Sequence, residues 1–571
     1  MRKLLNKYFS CFIWIAKDTK KHIKSLLLIL GCAVVGALSS VAMAIVSKNL
    51  VDNATSGNIK YVMYFGIAFG CIILINLGTN AASSMISVRA QEEFSNNLRQ
   101  RMFARISGAE WKDISRYHSG DILTRLTSDV NAISNGVINV FPGIISLGVQ
   151  LVAAFITLLY YEPYLAILAF VFGPFTILFS RIWGRKLKKL QIKIQESESA
   201  YRSFMQESLE NITIVKAFRL EEKNVETIDN LHNDRMQWII KRNRTSVAAS
   251  SILAAGYWIS YFIAFGWGAL RLAQKAISYG TLTAFLQLVG QIQGPFIGLS
   301  RTLPQVIATI ASAERLIELE KLEMEKQTQK LPFTKSVGVR LRNIDFSYNK
   351  DETILNNVTF TIEPGEIVAL TGPSGEGKTT IIRLFLALLK PGDGSITFSD
   401  YNGIELEASA STRDWISYVP QGNTLFSGTI SDNLRNGFTE ASDDELISAA
   451  QIACAWEFIE KLPDGLNTVI GENGLGLSEG QAQRIALARA IVRRAPVLIL
   501  DESTSALDMD LEMRVLEGIR NLKPSRSCLV ITHRLSALQI CSRVLKLKDG
   551  IIQEVPMLKT EDLTDADESV V

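Results

Sequence analysis

The sequence lacks a cysteine framework and lacks an excess of charge of either sign. Its six cysteines occur singly, with no pair at the spacing of a metal or redox motif, so we interpret them as reduced thiols. Lysine and arginine number 60 and aspartate and glutamate 57, which leaves a net charge of +3. A surface that binds nucleic acid needs a clear basic excess, and the sequence therefore predicts no nucleic-acid partner.

Charge of both signs is also missing from six long stretches in the first half of the chain. About 20 apolar residues are enough for a helix to cross the hydrocarbon of a bilayer, and a charge at the centre costs about 2.5–3.5 kcal/mol. Hydrophobic residues make up 47% of the chain, which is high for a soluble protein. We therefore predict six spans: Ser25–Ser47, Tyr61–Val88, Asn131–Tyr161, Pro163–Ser180, Thr245–Leu270 and Ala276–Ser300.

The segments between these stretches predict the orientation of the membrane domain. Residues 89–129 and 181–244 are long and rich in lysine and arginine, whereas the other links are short and carry few charges. Because loops rich in lysine and arginine stay in the cytoplasm, both termini and both long segments are expected inside, at the plasma membrane. The long segments also have helical periodicity and predict helical arms. Residues 1–22 predict an amphipathic helix on the membrane surface.

A glycine-rich loop between a strand and a helix marks the start of a nucleotide site. The apolar run 367–371 leads into the loop, and an apolar helix follows from residue 381. This is the G-x-x-x-x-G-K-[ST] phosphate loop, in which backbone N–H groups cradle phosphates, a lysine contacts the β- and γ-phosphates and a hydroxyl binds Mg²⁺. It predicts ATP and Mg²⁺ as cofactors, and the loop consists of Gly372, Pro373, Ser374, Gly375, Glu376, Gly377, Lys378, Thr379 and Thr380.

Acidic residues and a histidine follow two other apolar strands. Asp501 and Glu502 come after the run 497–500, and His533 comes after 529–532. In phosphate-loop enzymes the first acid orders Mg²⁺ and the second can polarise the attacking water. A strand ending in acids, or a lone histidine, is often only structural, but the phosphate loop favours catalytic roles for Glu502 and His533 and a magnesium role for Asp501.

The segment between these motifs carries a more specific signal. Residues 476–484 read Gly-Leu-Ser-Glu-Gly-Gln-Ala-Gln-Arg and resemble the signature of ATP-binding cassette (ABC) proteins. In the first half, residues 117–130 and 207–218 resemble the two intracellular loops of ABC exporters, and residues 312–316 resemble the end of their sixth helix. The chain thus resembles an ABC exporter half-transporter. The resemblance implies an α-helical six-span transmembrane domain fused to an α/β P-loop NTPase cassette.

The resemblance also implies roles for further residues. Tyr348 would stack on adenine, and Gln421 would join Thr379 and Asp501 around Mg²⁺. The signature would contact ATP held by a second subunit, through Ser478, Glu479, Gly480 and Gln481. A D-loop would follow the catalytic glutamate, consisting of Ser505, Ala506, Leu507 and Asp508.

The implied activity is ATP hydrolysis coupled to transport by alternating access, with ATP sandwiched between two cassettes. Short coupling helices near Arg116–Asp121 and Ala217–Lys223 would transmit cassette closure to the membrane helices. We expect export of a peptide, a lipid or a hydrophobic small molecule. Two alternatives stay open: an importer on the exporter fold, for example of siderophore-like cargo, and an ATP-gated channel or sensor subunit.

The sequence leaves two further questions open. Glu479 replaces the first glycine of the signature, which keeps a heterodimer possible, although the other complete motifs favour a homodimer. Polar and aromatic residues of the last two spans line an amphipathic cavity or serve helix packing: Gln287, Gln291, Gln293, Tyr257, Trp258 and Tyr261. The expected organisation is a surface helix (1–22), a transmembrane domain (23–320), a linker (321–336), a cassette (337–556) and an acidic tail (557–571).

Overall fold

The structure is a computed structural model that describes most of the chain. It covers residues 2–326, 331, 334–349, 352–400, 403, 405–471 and 474–556, with the side chains of 2–8, 168, 171–178, 180, 181 and 349 excepted. The predicted acidic tail lies outside the described residues, as does part of the predicted linker. The chain divides into two compact units, of which one comprises Met1–Ser107 and Tyr117–Lys321 and the other Gly108–Arg116 and Leu322–Val571.

The helices are, in chain order, α1 (Arg2–Thr19), α2 (Ile23–Thr55), α3 (Ile59–Ser107), α4 (Trp111–Ile114), α5 (Ser119–Thr124), α6 (Val130–Asn135), α7 (Phe141–Tyr161), α8 (Pro163–Glu210), α9 (Ile212–Ala217), α10 (Glu221–Ala273), α11 (Tyr279–Glu320), α12 (Lys378–Phe385), α13 (Ile430–Arg435), α14 (Asp443–Ile452), α15 (Trp456–Ile459), α16 (Glu479–Val492), α17 (Met509–Arg520) and α18 (Leu535–Leu538). Shorter 3₁₀ segments occupy Lys20–His22, Ala410–Trp415 and Gly465–Asn467, and π-helical segments occupy Arg125–Asp129 and Gly136–Val140.

The first unit is helical, and its helices run well past the predicted spans. Among the described residues, five helical stretches are long and apolar enough to cross a membrane: Phe9–Thr55, Ile59–Ser107, Ser119–Tyr161, Glu221–Ala273 and Tyr279–Glu320. The predicted span Pro163–Ser180 lies in α8. The predicted arms are helical as well, since α3 has 49 residues and α10 has 53.

A polar cluster joins the first π-helical segment, Arg125–Asp129, to the end of α11. Asp129 is buried and accepts hydrogen bonds from Ser312 Oγ at 2.9 Å and from Arg315 Nε at 2.7 Å. Arg125, also buried, donates from Nη1 to Arg315 O at 2.8 Å and to Glu318 Oε2 at 3.1 Å. These contacts satisfy the buried charges, which would otherwise be costly to remove from water.

The glutamines of the sixth predicted span bond to neighbouring helices. Gln291 Nε2 donates to Ser40 O at 2.7 Å, and Gln293, which is only 6% exposed, donates to Ser260 Oγ. Gln287 Nε2 donates to Ser47 Oγ at 3.2 Å. Interhelical bonds of this kind help membrane helices to associate. Of the two interpretations left open by the sequence, helix packing describes the Gln291 and Gln293 amides, whereas Gln287 is exposed.

The second unit contains an α/β core with three sheets. The strands are β1 (Val337–Asn349), β2 (Glu352–Ile362), β3 (Ile367–Thr371), β4 (Asp393–Asp400), β5 (Glu405–Glu407), β6 (Ile416–Val419), β7 (Gly428–Thr429), β8 (Val469–Ile470), β9 (Val497–Asp501), β10 (Ser527–Ile531), β11 (Arg543–Lys548) and β12 (Ile551–Val555). The sheet orders are β2-β1-β4-β5, β12-β11-β3-β10-β9-β6 and β7-β8.

The six-stranded sheet brings the predicted site residues to one edge. Strands β11, β3, β10, β9 and β6 are parallel, whereas β12 is antiparallel to β11. Strands β9 and β10 are buried throughout, as their continuous apolar sequences require for strands covered on both faces. Because the strands run the same way, the carboxyl ends of β3, β9 and β10 place Gly372, Asp501 and Thr532 along one edge.

Part of the first long predicted cytoplasmic segment (89–129), namely Gly108–Arg116, belongs to the second unit. Glu110 N donates to Glu323 O at 2.8 Å, and Glu325 N donates to Gly108 O at 2.9 Å. Lys390 Nζ donates to Glu110 Oε1 at 2.7 Å. The short helix α4 follows directly and ends at Ile114, and α5 begins at Ser119, within the range 116–121 in which a coupling helix was expected. The coupling role stays a prediction.

Candidate ATP-binding site

The phosphate loop is held by close backbone approaches that only glycine allows. Gly372 has φ +147°, and a Cβ there would lie 2.2 Å from Leu547 O. Gly377 has φ +107°, and its Cβ would lie 2.8 Å from Ile354 Cγ2. Helix α12 begins at the next residue, Lys378, with no side chain capping its first turn. The backbone N–H groups of the first turn of α12 and the positive end of its helix dipole are therefore available to bind phosphate.

Lys378 lies inside this loop and bonds to it. Its Nζ donates to Gly372 O and, at 3.2 Å, to Pro373 O, and it lies 2.9 Å from His533 Nε2. Burial lowers the pKa of the Lys378 ammonium, while the nearby carboxylates of Glu502 and Asp501 act in the opposite direction. A bound phosphate would take the place of the carbonyl partners and would favour the charged form.

The predicted catalytic glutamate lies between Gln421 and His533. Gln421 Nε2 donates to Glu502 Oε2 at 2.7 Å, and His533 Nε2 lies 3.6 Å from Glu502 Oε1. Glu502 has φ +47°, which is unusual for a residue other than glycine, and its N–H donates to Ile531 O at 3.0 Å. Strained backbone of this kind occurs often at functional sites.

Asp501 ends strand β9 and is held by a tyrosine that the sequence did not single out. Tyr418 OH donates to Asp501 Oδ2 at 3.1 Å. Burial raises the pKa of the Asp501 carboxyl, and the hydrogen bond from Tyr418 opposes that shift. Tyr418 is in β6, which pairs with β9 at the register Tyr418↔Ile499, and this pairing fixes its position.

Tyr348, the predicted adenine partner, is a half-exposed ring at the end of β1. Its hydroxyl lies 3.3 Å from Thr380 Oγ1 and accepts from Arg383 Nη1 at 3.0 Å. Phe346 meets it edge to face, with ring centroids 5.0 Å apart. These contacts orient the ring and leave 48% of the residue exposed, so that a base could stack on it.

The signature residues form the start of helix α16. Ser478 is the N-cap, and a capping box joins it to Gln481: Ser478 N donates to Gln481 Oε1 at 2.9 Å and Gln481 N donates to Ser478 Oγ at 3.3 Å. Glu479 occupies the first helical position and is exposed. A carboxylate in the first turn is favoured by the helix dipole, so the departure from glycine is compatible with the fold.

The D-loop packs directly against the signature helix. A Cβ on Gly480 would lie 2.9 Å from Ala506 O, so this position needs glycine for the close approach. Gln483 Oε1 accepts from Ala506 N at 3.1 Å, and its Nε2 donates to Ser505 Oγ at 3.3 Å. Asp508 caps the following helix by accepting from Leu511 N at 2.9 Å. The signature and the D-loop therefore form one connected structure.

A buried glutamate that the sequence analysis missed joins the D-loop region to the loop after β10. Glu512 is fully buried and accepts from Thr504 Oγ1 at 2.7 Å and from Ser536 Oγ. Arg534 lies 3.6 Å from Glu512 and donates to Leu507 O at 2.6 Å. The sequence did offer a sign of this burial: Glu512 is at helical spacing from the apolar Val515, Leu516 and Ile519, which form the face of α17 that packs against the core.

The residues present fit ATP with a magnesium ion. Mg²⁺ prefers a few protein oxygen ligands together with phosphate oxygens and waters. Thr379 is exposed in the first turn of α12 and could supply a hydroxyl, and Asp501 could supply a carboxylate. The Gln421 amide lies at the same edge, 2.7 Å from Glu502. Such an ion would neutralise charge on the phosphates. The described residues contain no cluster of three or more His, Cys, Asp or Glu side chains that could hold a metal without phosphate.

Comparison with known families places this site in context. Residues 26–296 match the family model for the ABC transporter transmembrane region, and residues 355–505 match that for the ABC transporter ATP-binding part. The chain belongs to the ABC transporters, with a transmembrane region and a cassette fused in one polypeptide. It is an ATP-hydrolysing membrane transporter of the exporter type, which confirms the fold class and the activity expected from the sequence.

Individual relatives agree with this assignment. The chain is 33% identical over 85% of its length to "ABC transporter B family member 4" of Dictyostelium discoideum, of which it spans 63%. It is 31% identical over 92% of its length, and 90% of the relative's, to an uncharacterized ABC transporter ATP-binding protein of Sinorhizobium fredii. It is 29% identical over 96% of its length, and 92% of the relative's, to the ATP-dependent lipid A-core flippase of Syntrophus aciditrophicus.

The fold also matches a solved structure. A bacterial Atm1-family ABC exporter with ATP bound superimposes with a TM-score of 0.78, at 23% identity, covering 94% of this chain and 95% of that one. This likeness supports the half-transporter fold, in which a functional transporter requires a second half.

Proposed function

We propose that two copies of this chain form a homodimer that exports a lipid or another amphipathic molecule across the plasma membrane by alternating access. The observation that carries the proposal is the convergence of Lys378, Asp501, Glu502 and His533 at one sheet edge, in a chain with a fused membrane domain. ATP bound at this edge would meet the signature helix of the second copy. Closure around ATP, and release after hydrolysis, would bias the dimer between two states.

Within this proposal, each residue at the sheet edge has a defined part. Lys378 and the N–H groups at the start of α12 bind the phosphates. Glu502 accepts a proton from the attacking water, and Gln421 and His533 hold its carboxylate in position. Thr379, Asp501 and Gln421 would hold Mg²⁺. Tyr348 supports the base, and Ser478 with Gly480 binds the ATP of the second copy.

The membrane helices support an amphipathic cargo. The six predicted spans contain no Asp, Glu, Lys, Arg or His, so a strongly charged cargo site at the bilayer centre is disfavoured. Gln287 is exposed within the last predicted span and can offer hydrogen bonds to a polar headgroup. The relative named as a lipid A-core flippase supports a lipid. The long segments rich in lysine and arginine support a cytoplasmic location for both termini and the ATPase unit.

The test is Mg²⁺-dependent ATP hydrolysis by the chain alone in lipid nanodiscs. Glu502→Gln should lower the rate about 10²–10⁴-fold because it removes the general base. Glu517→Gln, at an exposed position on α17, is the matched control and should leave the rate unchanged. Folded wild-type protein without hydrolysis would contradict the homodimer. Hydrolysis that lipid A-like or other amphipathic lipids fail to stimulate would contradict the proposed cargo.

A further inference from the structure

The cassette has a second recess at the edge of the six-stranded sheet opposite the phosphate loop. This cavity of about 530 Å³ lies between α14, the end of α16 and the loop before β10. It is lined by four basic side chains and two acidic ones, namely Lys335, Arg494, Lys523 and Arg526 with Asp444 and Glu445. We refer to it as the basic cavity.

Most of the positive charge in the basic cavity has no carboxylate partner. Arg494 pairs with Glu445. Arg526 donates to Ala490 O at 3.4 Å and to Ile491 O at 3.0 Å, and among the described residues it forms no ion pair. Lys335 and Lys523 likewise have no ion-pair partner in the described part of the chain. Three cations therefore face a single unpaired acid, Asp444.

The environment of Arg526 shows that this excess of charge is costly. Burial lowers the pKa of its guanidinium to about 10, and the neighbouring charge of Arg494 acts in the same direction. Arg526 is half-buried, so its charge is partly removed from water without a counter-ion, and an anion in the cavity would offset that cost. The backbone carbonyls at the end of α16 supply only partial negative charge.

An acidic segment follows strand β12, which ends at the same edge of the sheet. Residues 557–571 contain Glu561, Asp562, Asp565, Asp567 and Glu568 against one lysine. Strand β12 is antiparallel to β11, with Val555 opposite Val544, so it ends toward the amino edge of the parallel strands. The basic cavity is at that edge, because its lining residues immediately precede β9 and β10.

The basic cavity lies close enough to the end of β12 for the acidic segment to reach it. Three strand spacings of about 4.8 Å separate β12 from β10 in the sheet order β12-β11-β3-β10. Val555 is level with Val530, four residues after Arg526. The path is therefore about 20 Å, and six extended residues can span it. Glu561 and the acids beyond it are within reach.

We propose that the acidic segment 557–571 docks in the basic cavity and pairs with Lys335, Lys523 and Arg526. The signature helix α16 starts at Glu479 and ends at Val492, which lines the cavity. Docking therefore holds the end of this helix, α14 and the loop before β10 to one another. The interaction depends on charge and weakens as salt rises.

The test is hydrogen exchange of the full chain in nanodiscs, comparing wild type with a variant whose tail acids are neutralised. That variant carries Glu561→Gln, Asp562→Asn, Asp565→Asn, Asp567→Asn and Glu568→Gln. Amides of 443–452 and 521–526 should exchange at least about fivefold faster in the variant, because the docked segment no longer restrains them. Equal exchange in the two chains would overturn the proposal.

Charge reversal on the cavity side provides the second measurement. Lys335→Glu with Lys523→Glu should give the same faster exchange, and combining it with the neutralised tail should add nothing further. Lys461→Glu, at an exposed position outside the cavity, is the matched control. Inorganic phosphate that slows exchange equally in wild type and variant would identify a free anion as the occupant, and would also overturn the proposal.

Discussion

Polar groups are arranged differently in two regions: the edge of the six-stranded sheet that holds the predicted site residues, and the membrane helices. At the sheet edge, Lys378, Asp501, Glu502 and His533 are ionisable groups from three strand ends, and all lie near one another. In the membrane helices, amides such as those of Gln291 and Gln293 bond to a neighbouring helix.

This difference explains why the sheet edge identifies what it binds, whereas the membrane helices do not. At the sheet edge, burial and neighbouring charges shift the pKa values of Lys378 and Asp501, and these interactions restrict which residue types can occupy the site. In the membrane helices, a hydrogen bond contributes only about 0.6 kcal/mol on average, so many sequences can pack equally well. A few residues therefore identify the nucleotide site, whereas the polar residues of the membrane helices do not identify the cargo.

The largest effect is expected from adding one methyl group in the phosphate loop. Gly372→Ala should abolish most ATP hydrolysis, because its Cβ would lie 2.2 Å from Leu547 O at φ +147°. Gly375→Ala is the matched control: φ there is +91°, but a Cβ would meet nothing within 4 Å. Nanodisc ATPase rates should separate the two variants at least about tenfold. Similar rates would show that backbone approach does not constrain the loop.

A smaller effect, on stability, is expected from breaking a buried ion pair of the first unit. Asp129→Asn should lower the free energy of unfolding by about 1–3 kcal/mol, because Arg315 loses the carboxylate that accepts its Nε hydrogen bond at 2.7 Å. Glu93→Gln removes an exposed pair with Arg89 and should leave the free energy of unfolding nearly unchanged. Thermal unfolding in detergent measures both. Equal losses would remove the distinction between buried and exposed pairs.

The pH dependence of ATP hydrolysis tests the tyrosine beside Asp501. Tyr418→Phe removes the 3.1 Å hydrogen bond that stabilises the ionised carboxylate, so the pKa of Asp501, already raised by burial, should rise further. The carboxylate is then lost at higher pH, and the acid limb of the rate profile should move to higher pH. A shift in the opposite direction would contradict this role.

The smallest effect is expected from Gln293→Leu in the sixth predicted span. If its amide serves packing, losing the bond to Ser260 should change stability by about 0.6 kcal/mol and leave lipid-stimulated hydrolysis unchanged. Gln287→Leu, at an exposed position, is the companion variant. Loss of stimulation in the Gln293 variant, at unchanged stability, would instead place this residue in a cargo site.

Much of the cassette could be predicted because its motifs combine local sequence with strand context. The phosphate loop needs a strand before it and a helix after it, and 367–371 and 378–385 have those structures. The ordinary turn chemistry of a capping box likewise explains why Ser478 begins a helix. Here the sequence pattern and the three-dimensional arrangement depend on the same few residues.

The long-range partners could not be predicted because nothing local requires them. Tyr418 reaches Asp501 only because β6 and β9 pair in parallel at one register. Gln483 contacts the D-loop because α16 packs across it. Glu110 and Lys390 lie 280 positions apart and meet in the second unit. A single sequence specifies such contacts only through the complete fold.

The two π-helical segments, Arg125–Asp129 and Gly136–Val140, have a consequence for comparing chain lengths. Each π turn accommodates about one residue more than an α turn, and one residue rotates the following face by about 100°. A relative that keeps a regular α-helix between the same ends would need one residue fewer at each segment. A one-residue gap in an alignment here would therefore record a change in helix winding rather than the loss of a loop. Assigning lipid-facing positions of α7 by counting from α5 would be out of phase by roughly half a turn.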